Sequence, residues 1–351
     1  ADWPHAMLAT STHDSKRSED VRARIDVLSE LAPEWRRRVD RWQRLNRPHR
    51  RQLESLEAPT PNDEYLLYQT LVGAWPDGYD EGPVAEAFGE RIERYLVKVV
   101  REEKAVSSWL NPNEQYEAAF TAFARALVTP GENRRFLAAF LPFQRQVAWF
   151  GRLNALSQTL LKLTAPGVPD IYQGCELWDL SLVDPDNRRP VDYAARREAL
   201  ASLQAAAASG PEALARLAVD LLAHLEDGRF KQFLIWRALA HRRQHEALFR
   251  DGAYLPLAVA GQRAEHVCAF ARRQGEECLV VVVPRLACTL LGGETILPVA
   301  KTWRETYVDV GSLERSAWED VLTGSGLEAN GGRLPVAEIL GRLPVALLAG
   351  V

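Results

Sequence analysis

The sequence predicts a multidomain fold, an α/β part followed by an all-β part, and three features carry that prediction. Apolar residues recur at helical spacing almost without interruption from residue 15 to residue 163. Short strand-like runs bracket that stretch, "MLAT" from Met7 and "PDIYQG" from Pro169. Beyond about Tyr254 the pattern changes to brief runs of β-branched and aromatic residues separated by glycine and proline.

Each element follows from its own spacing. Val21, Ile25, Leu28 and Leu31 form one helical face, which Pro33 interrupts, and Trp35, Val39, Trp42 and Leu45 form the next. "EAPTPNDEYLLYQTLVGAW" predicts a proline-marked loop and a helix to Trp75, capped by Asn62 or Asp63. "WPDGYDEGP" is a turn, and residues 84–109 and 112–128 predict two further helices. Phe136, Phe140, Phe143, Val147, Phe150 and Leu153 mark a long helix over 133–163. "TAPGVPDIYQG" ends it and leads into a buried strand at Asp170–Tyr172. The loop "DPDNRRPVDY" then precedes a mainly helical region, 193–247. "HVCAFARR", "CLVVVVPR", "TILPV" and "TYVDVG" predict the strands of a small antiparallel β-domain over 254–351, a β-sandwich.

Composition excludes several classes. The net charge of -4 gives no electrostatic case for a nucleic-acid or anionic-membrane partner. No run of about 18 apolar residues is present, so no membrane span is expected. Cys175, Cys268, Cys278 and Cys288 form neither a CxxC pair nor a dense framework, which fits reduced thiols and a cytoplasmic location. His241 and His245 have helical metal-ligand spacing but no third ligand nearby, so "HRRQH" reads as a solvated face and no metal or cofactor is expected.

The chemistry concentrates in "STHDSKRSED", Ser11–Asp20. Asp14 stands before a helix whose first turn holds Glu19 and Asp20, an ordinary capping arrangement. It also stands at a strand end beside His13, with Lys16 and Arg17 close behind, an arrangement suited to a catalytic carboxylate.

"STHDSKRSEDVRAR" resembles the fourth conserved region of the α-amylase superfamily, in the form found in maltooligosyltrehalose synthases. "YLLYQTLVGAWP", "KVVREEKAVSSWLNPNEQYE" and "PGVPDIYQGCELWDLSLVDPDNRRPVDY" resemble later segments of that family, in the same order, and the resemblance extends to the terminal "LPVALL". It implies the last part of a (β/α)8 barrel carrying a large helical insertion. Residues 1–14 would end barrel strand seven, 15–130 would be the insertion, 131–253 the last helices and strand eight, and 254–351 the β-sandwich.

The resemblance also implies roles. Asp14 would be the third catalytic carboxylate, with His13 on the same sugar ring and Lys16 and Arg17 at neighbouring subsites. Tyr172 and Gln173 would sit at the carboxyl end of strand eight. Asp184, Asp186, Asn187 and Arg188 would contact sugar hydroxyls, and Trp109 and Trp178 are candidates for stacking on sugar faces. The implied reaction turns the reducing-end α-1,4 linkage of a maltooligosaccharide into an α,α-1,1 linkage. A retaining glycosidase needs a nucleophile and an acid/base besides. In the family both lie upstream of the segments matched here, so the missing N-terminal half of the barrel is an expected partner and the chain alone is expected to be inactive. Two alternatives stay open: another α-amylase-type glucanotransferase or hydrolase, and a non-catalytic carbohydrate-binding or interaction protein in which Asp14 only caps a helix.

Overall fold

The computed structural model describes residues 3–54, 56–79, 82–184 and 186–351. They form two compact units, one of residues 12–151 and 180–190, the other of residues 3–11, 152–179 and 191–351. Asp80 and Glu81 of the expected "WPDGYDEGP" turn, and Pro185 of the "DPDNRRP" loop, lie outside the described residues. No helix among the described residues is long and apolar enough to cross a membrane.

The first unit is built from α1 (Glu19–Asp26), α2 (Ala32–Asn46), α3 (Pro61–Ala74), α4 (Gly82–Glu103), α5 (Glu114–Val128) and the beginning of α6 (Arg134–Thr164). Thr60, not Asn62 or Asp63, caps α3: its hydroxyl accepts the Asp63 N–H at 3.2 Å, and Pro61 occupies the first turn, where a missing N–H costs nothing. Helix α4 stops at Glu103, short of the expected 109, and Asn113 caps α5 by accepting the Tyr116 N–H at 3.0 Å. Two glycines let α1 pack closely. A Cβ at Gly73 would stand 2.8 Å from Val21 Cγ1, and one at Gly151 would stand 2.4 Å from Arg24 Cγ. Arg24 is buried there and donates to the Trp75 carbonyl at 2.8 Å.

The core of this unit is aromatic. Trp42 is fully buried, with Trp35, Tyr68, Phe136, Phe140 and Phe143 at ring-centroid distances of 5.2–6.0 Å. Trp42→Ala is expected to lower the unit's stability by about 3–5 kcal/mol, the cost of an aromatic cavity, read as a shift in denaturant midpoint.

In the second unit Met7–Ala9 pairs in parallel with Val168–Asp170, in the register Leu8 to Pro169. The strand thus lies two residues earlier than expected and is not buried, since Val168 is 52% exposed and Pro169 has no N–H to offer a further neighbour. Helices α7 (Tyr193–Ala207), α8 (Pro211–Ala223) and α9 (Arg229–Gln244) come next. Six antiparallel strands then form one sheet in the order Gly326–Glu328, Ala317–Asp320, Ala346–Gly350, Glu277–Pro284, Val267–Gln274, Ala253–Pro256. A second sheet has the order Arg333–Pro335, Tyr307–Asp309, Val259–Ala260. The central "ECLVVVVP" strand is buried from Cys278 onward, as a continuous apolar run requires. "TILPV" is not a strand, and its Pro298 lacks the N–H that a ladder needs. None of the four cysteines is in a disulfide.

Two buried titratable groups in this unit oppose one another. His241, read from sequence as part of a solvated face, is buried against His245 (ring centroids 4.3 Å) and Phe249. Burial, reinforced by His245 and Arg237, pushes its pKa down to about 4. Burial pushes Asp320 up to about 6, although Leu322 N–H and Thr323 Oγ1 donate to it at 3.0 and 2.8 Å. A histidine depressed in the folded state loses stability as pH falls from its ordinary value toward 4, whereas a carboxyl raised in the folded state loses stability as pH rises from its ordinary value toward 6. Each effect amounts to about 3 kcal/mol at its limit, so they largely offset across this window. Asp320→Asn is therefore expected to steepen acid destabilisation between pH 6.5 and 4, and His241→Gln to reverse its slope. Denaturant midpoints measured across that range check both.

Candidate functional site

The segment Thr12–Arg17 is a turn, not the first turn of a helix. Thr12 N–H donates to Ser15 Oγ at 2.9 Å, Ser15 N–H to the Thr12 carbonyl at 3.1 Å, and Asp14 N–H to Thr12 Oγ1 at 3.3 Å. Such local hydroxyl bonds compete with helical ones and hold the chain out of the helix. Helix α1 begins at Glu19 with Ser18 as N-cap, so Asp14 is not the cap that its position suggests. Arg17 bridges to Leu182, and Ser18 N–H donates to the Ser181 carbonyl at 3.0 Å, which ties the turn to the 180–190 loop.

Asp14 points outward. Its side chain is 79% exposed, and His13 Nε2 stands 3.2 Å from its Oδ2. No other hydrogen bond to this carboxylate occurs among the described residues. The His13 carbonyl accepts from Asn187 Nδ2 at 2.9 Å, so the loop braces the backbone that carries the pair.

That loop is fastened by Asp186. Arg91 of α4 grips the carboxylate with two bonds of 2.8 and 2.9 Å, and Leu182 N–H adds a third at 2.7 Å. Burial opposes ionisation of Asp186, but Arg91 and Leu182 outweigh it and hold its carboxyl below the usual range. Beside it runs a chain of alternating charges. Lys16 Nζ donates to Glu102 Oε2 at 2.7 Å, Lys98 reaches Glu102 Oε1 at 2.6 Å and also pairs with Asp184, and Arg188 meets Asp184 Oδ1 at 3.0 Å. Lys16, with Lys98, depresses the Glu102 carboxyl, and Lys98 depresses Asp184. Asp184 adopts a left-handed φ of 65°, a region that aspartate tolerates better than most residues. Arg17 turns toward α3 and donates to Thr70 Oγ1 at 3.1 Å.

The helical unit thus brings together His13, Asp14, Lys16, Arg17, Asp184, Asp186, Asn187 and Arg188. Tyr172 and Gln173 belong to the other unit, in a turn where the Tyr172 carbonyl accepts from Cys175 N–H at 2.9 Å. Trp178, in that same unit, donates to the Leu225 carbonyl at 2.8 Å and packs under Lys231. Trp109 is 56% exposed, with Arg101 5.0 Å from its ring. Arg91, Lys98 and Glu102 escaped the sequence reading. Their signal was present: separations of seven and four residues place all three on one face of α4.

No family model matches the chain. A protein of Mycobacterium tuberculosis that carries the name maltooligosyl trehalose synthase is 36% identical over 348 residues, which is 99% of this chain and 38% of that protein. This chain is a relative of the maltooligosyltrehalose synthases. The maltooligosyltrehalose synthase of Arthrobacter ramosus is similar in structure as well, with a TM-score of 0.75 and 33% identity over 99% of this chain and 39% of its own. A glycosyltrehalose synthase structure gives a TM-score of 0.69 at 32% identity, covering 99% of this chain and 38% of its own. The chain therefore spans 38–39% of the length of these synthases.

Proposed function

We propose that this chain supplies the sugar-orienting part of a maltooligosyltrehalose synthase active site, within the last part of an α-amylase-type barrel. The parallel pairing of Met7–Ala9 with Val168–Asp170 supports assigning those strands as barrel strands seven and eight, with residues 15–130 as an insertion between them. The observation that carries the proposal is Asp14: an exposed carboxylate on a turn tied to the 180–190 loop, to α3 and to α4, with every acceptor position but one open to a ligand.

The chemistry rests on that open carboxylate. As a glycosidic bond breaks, the ring approaches an oxocarbenium-like state, and acceptors for the ring hydroxyls strengthen their hold in that state. Asp14 acts as such an acceptor and His13 as its neighbour on the same ring. Lys16 and Arg188 each retain donors beyond their single carboxylate contact, and their partial exposure leaves those donors to sugar hydroxyls. Asp186 acts by positioning, since protein donors occupy both of its oxygens. Tyr172 and Gln173 are assigned to the carboxyl end of strand eight. The nucleophile and the acid/base, about 5–5.5 Å apart in a retaining enzyme, are assigned to polypeptide outside these residues. They form and resolve a glycosyl-enzyme, and the released glucose re-attacks through its anomeric hydroxyl.

Proton NMR of maltopentaose incubated with the full-length protein tests this. Reducing-end signals are expected to disappear while an α,α-1,1 anomeric signal grows and chain length is conserved. Shortened chains with new reducing ends would point to a hydrolase instead. Residues 1–351 alone are expected to give no product, because one carboxylate cannot supply a two-carboxylate mechanism.

A further inference from the structure

The net charge of -4 conceals one strongly basic segment. Between Arg36 and Arg51 the chain carries eight arginines against a single carboxylate, Asp40. Helix α2 explains where they go. Trp35, Val39, Trp42 and Asn46 take its buried face, so the positions between them turn to solvent. Arg36, Arg37, Arg41, Arg44, Arg47 and Arg51 are all exposed. Arg38 pairs with Glu34, and Arg50 with Glu57 and Glu64, but none of the six exposed arginines has an ion-pair partner among the described residues. Clustered unpaired cations repel one another, and an anion that bridges them is attracted by all at once.

The segment also forms a cleft. Asp40, Gln43 and Arg44 of α2, Arg47 and Arg50 of the following turn, and Glu57 line a shallow, largely open cleft of about 350 Å³. This volume lies within the range of small-molecule sites, roughly 300–1,000 Å³. Glu57 and Glu64 fix Arg50 as a wall at 3.1 and 2.6 Å, which leaves Arg44 and Arg47 as the two unpaired guanidiniums of the cleft. A guanidinium matches phosphate oxygens two at a time, with directional bonds that a lysine cannot make. Asp40 and Gln43 add acceptors suited to hydroxyl groups. Among the described residues no aromatic side chain lines the cleft to stack a base, and two carboxylates within it disfavour a continuous run of phosphates.

We propose that this cleft binds a phosphorylated sugar, with its phosphate on Arg44 and Arg47 and its hydroxyls on Asp40 and Gln43. The cleft shares no residue with the Asp14 turn and does not depend on the function proposed for it. Calorimetric titration of the full-length protein with glucose 6-phosphate at low ionic strength tests it. One site is expected, with glucose and inorganic phosphate binding more weakly. Arg44→Gln and Arg47→Gln are each expected to weaken it by about tenfold or more, the scale of a lost charged hydrogen bond. Both side chains are exposed and unpaired, so thermal melting of the variants should match the parent and separate lost binding from lost folding. Arg36→Gln and Arg37→Gln, outside the cleft, should change affinity less than about twofold if exposed charges act only at long range. The proposal is overturned by absence of binding, or by equal losses in the two pairs of variants, which would indicate a diffuse counterion effect. Inorganic phosphate binding as tightly as the sugar phosphate would also overturn it, as would tight binding of duplex DNA alone.

Discussion

Replacing Asp14 by asparagine in the full-length protein is expected to lower turnover of maltopentaose by about 10²–10³-fold, the scale of a lost transition-state contact, while thermal melting stays unchanged. Melting is insensitive because the carboxylate holds nothing else in place: Ser18 starts α1, and the Thr12–Ser15 turn closes through hydroxyl and backbone groups. Asparagine keeps the size of the side chain but lacks the charge whose hold on the ring hydroxyls tightens as the ring becomes oxocarbenium-like. Near-parental turnover would remove Asp14 from the chemistry.

Asp186→Ala is expected to destabilise the helical unit by about 3–5 kcal/mol, because it leaves the Arg91 charge without its partner. The Arg91 and Asp186 side chains are only 12% and 6% exposed, so water replaces the lost carboxylate poorly. The 180–190 loop should loosen with it, freeing the Asn187 bond to the His13 carbonyl, and KM should rise. An Arg91→Met/Asp186→Leu double variant, which removes both charges, should recover much of the stability. The pH dependence has a definite sign. Asp186, Asp184 and Glu102 are all held below their ordinary values in the fold. Their contribution is complete above the ordinary carboxylate range and is lost as pH falls below it. Denaturant curves of the parent and Asp186→Ala at successive acidic pH values should therefore converge. Curves that stay parallel would mean that the Asp186 contribution is not ionic.

The sequence made the helical unit legible because burial repeats at a local period. Trp35, Val39 and Trp42 announce a buried face regardless of what lies opposite, and the valine run of Glu277–Pro284 announces a strand covered on both sides. The short strands were harder. Val168–Asp170 has three residues and a proline, so its limits depend on Met7–Ala9, some 160 residues away in sequence. Asp14 resembles a cap for a related reason: a capping residue is recognised by the helix after it, yet here the Thr12 and Ser15 hydroxyls claim the backbone first. "DPDNRRP" showed charged turn residues, but a turn cannot show that Arg91 waits 95 positions earlier to take one carboxylate out of solvent. The spacing of Lys98 and Glu102 shows that they share a helix face but not what that face meets, since alternating charges look alike whether they meet water or a loop.

A crystal structure of the full-length protein with a bound maltooligosaccharide tests the role of Asp14 most directly. The expected result is a glucose ring whose hydroxyls lie within about 2.5–3.0 Å of the Asp14 carboxylate, with His13 on the same ring. A sugar bound elsewhere, with Asp14 facing solvent and still paired only to His13, would contradict it.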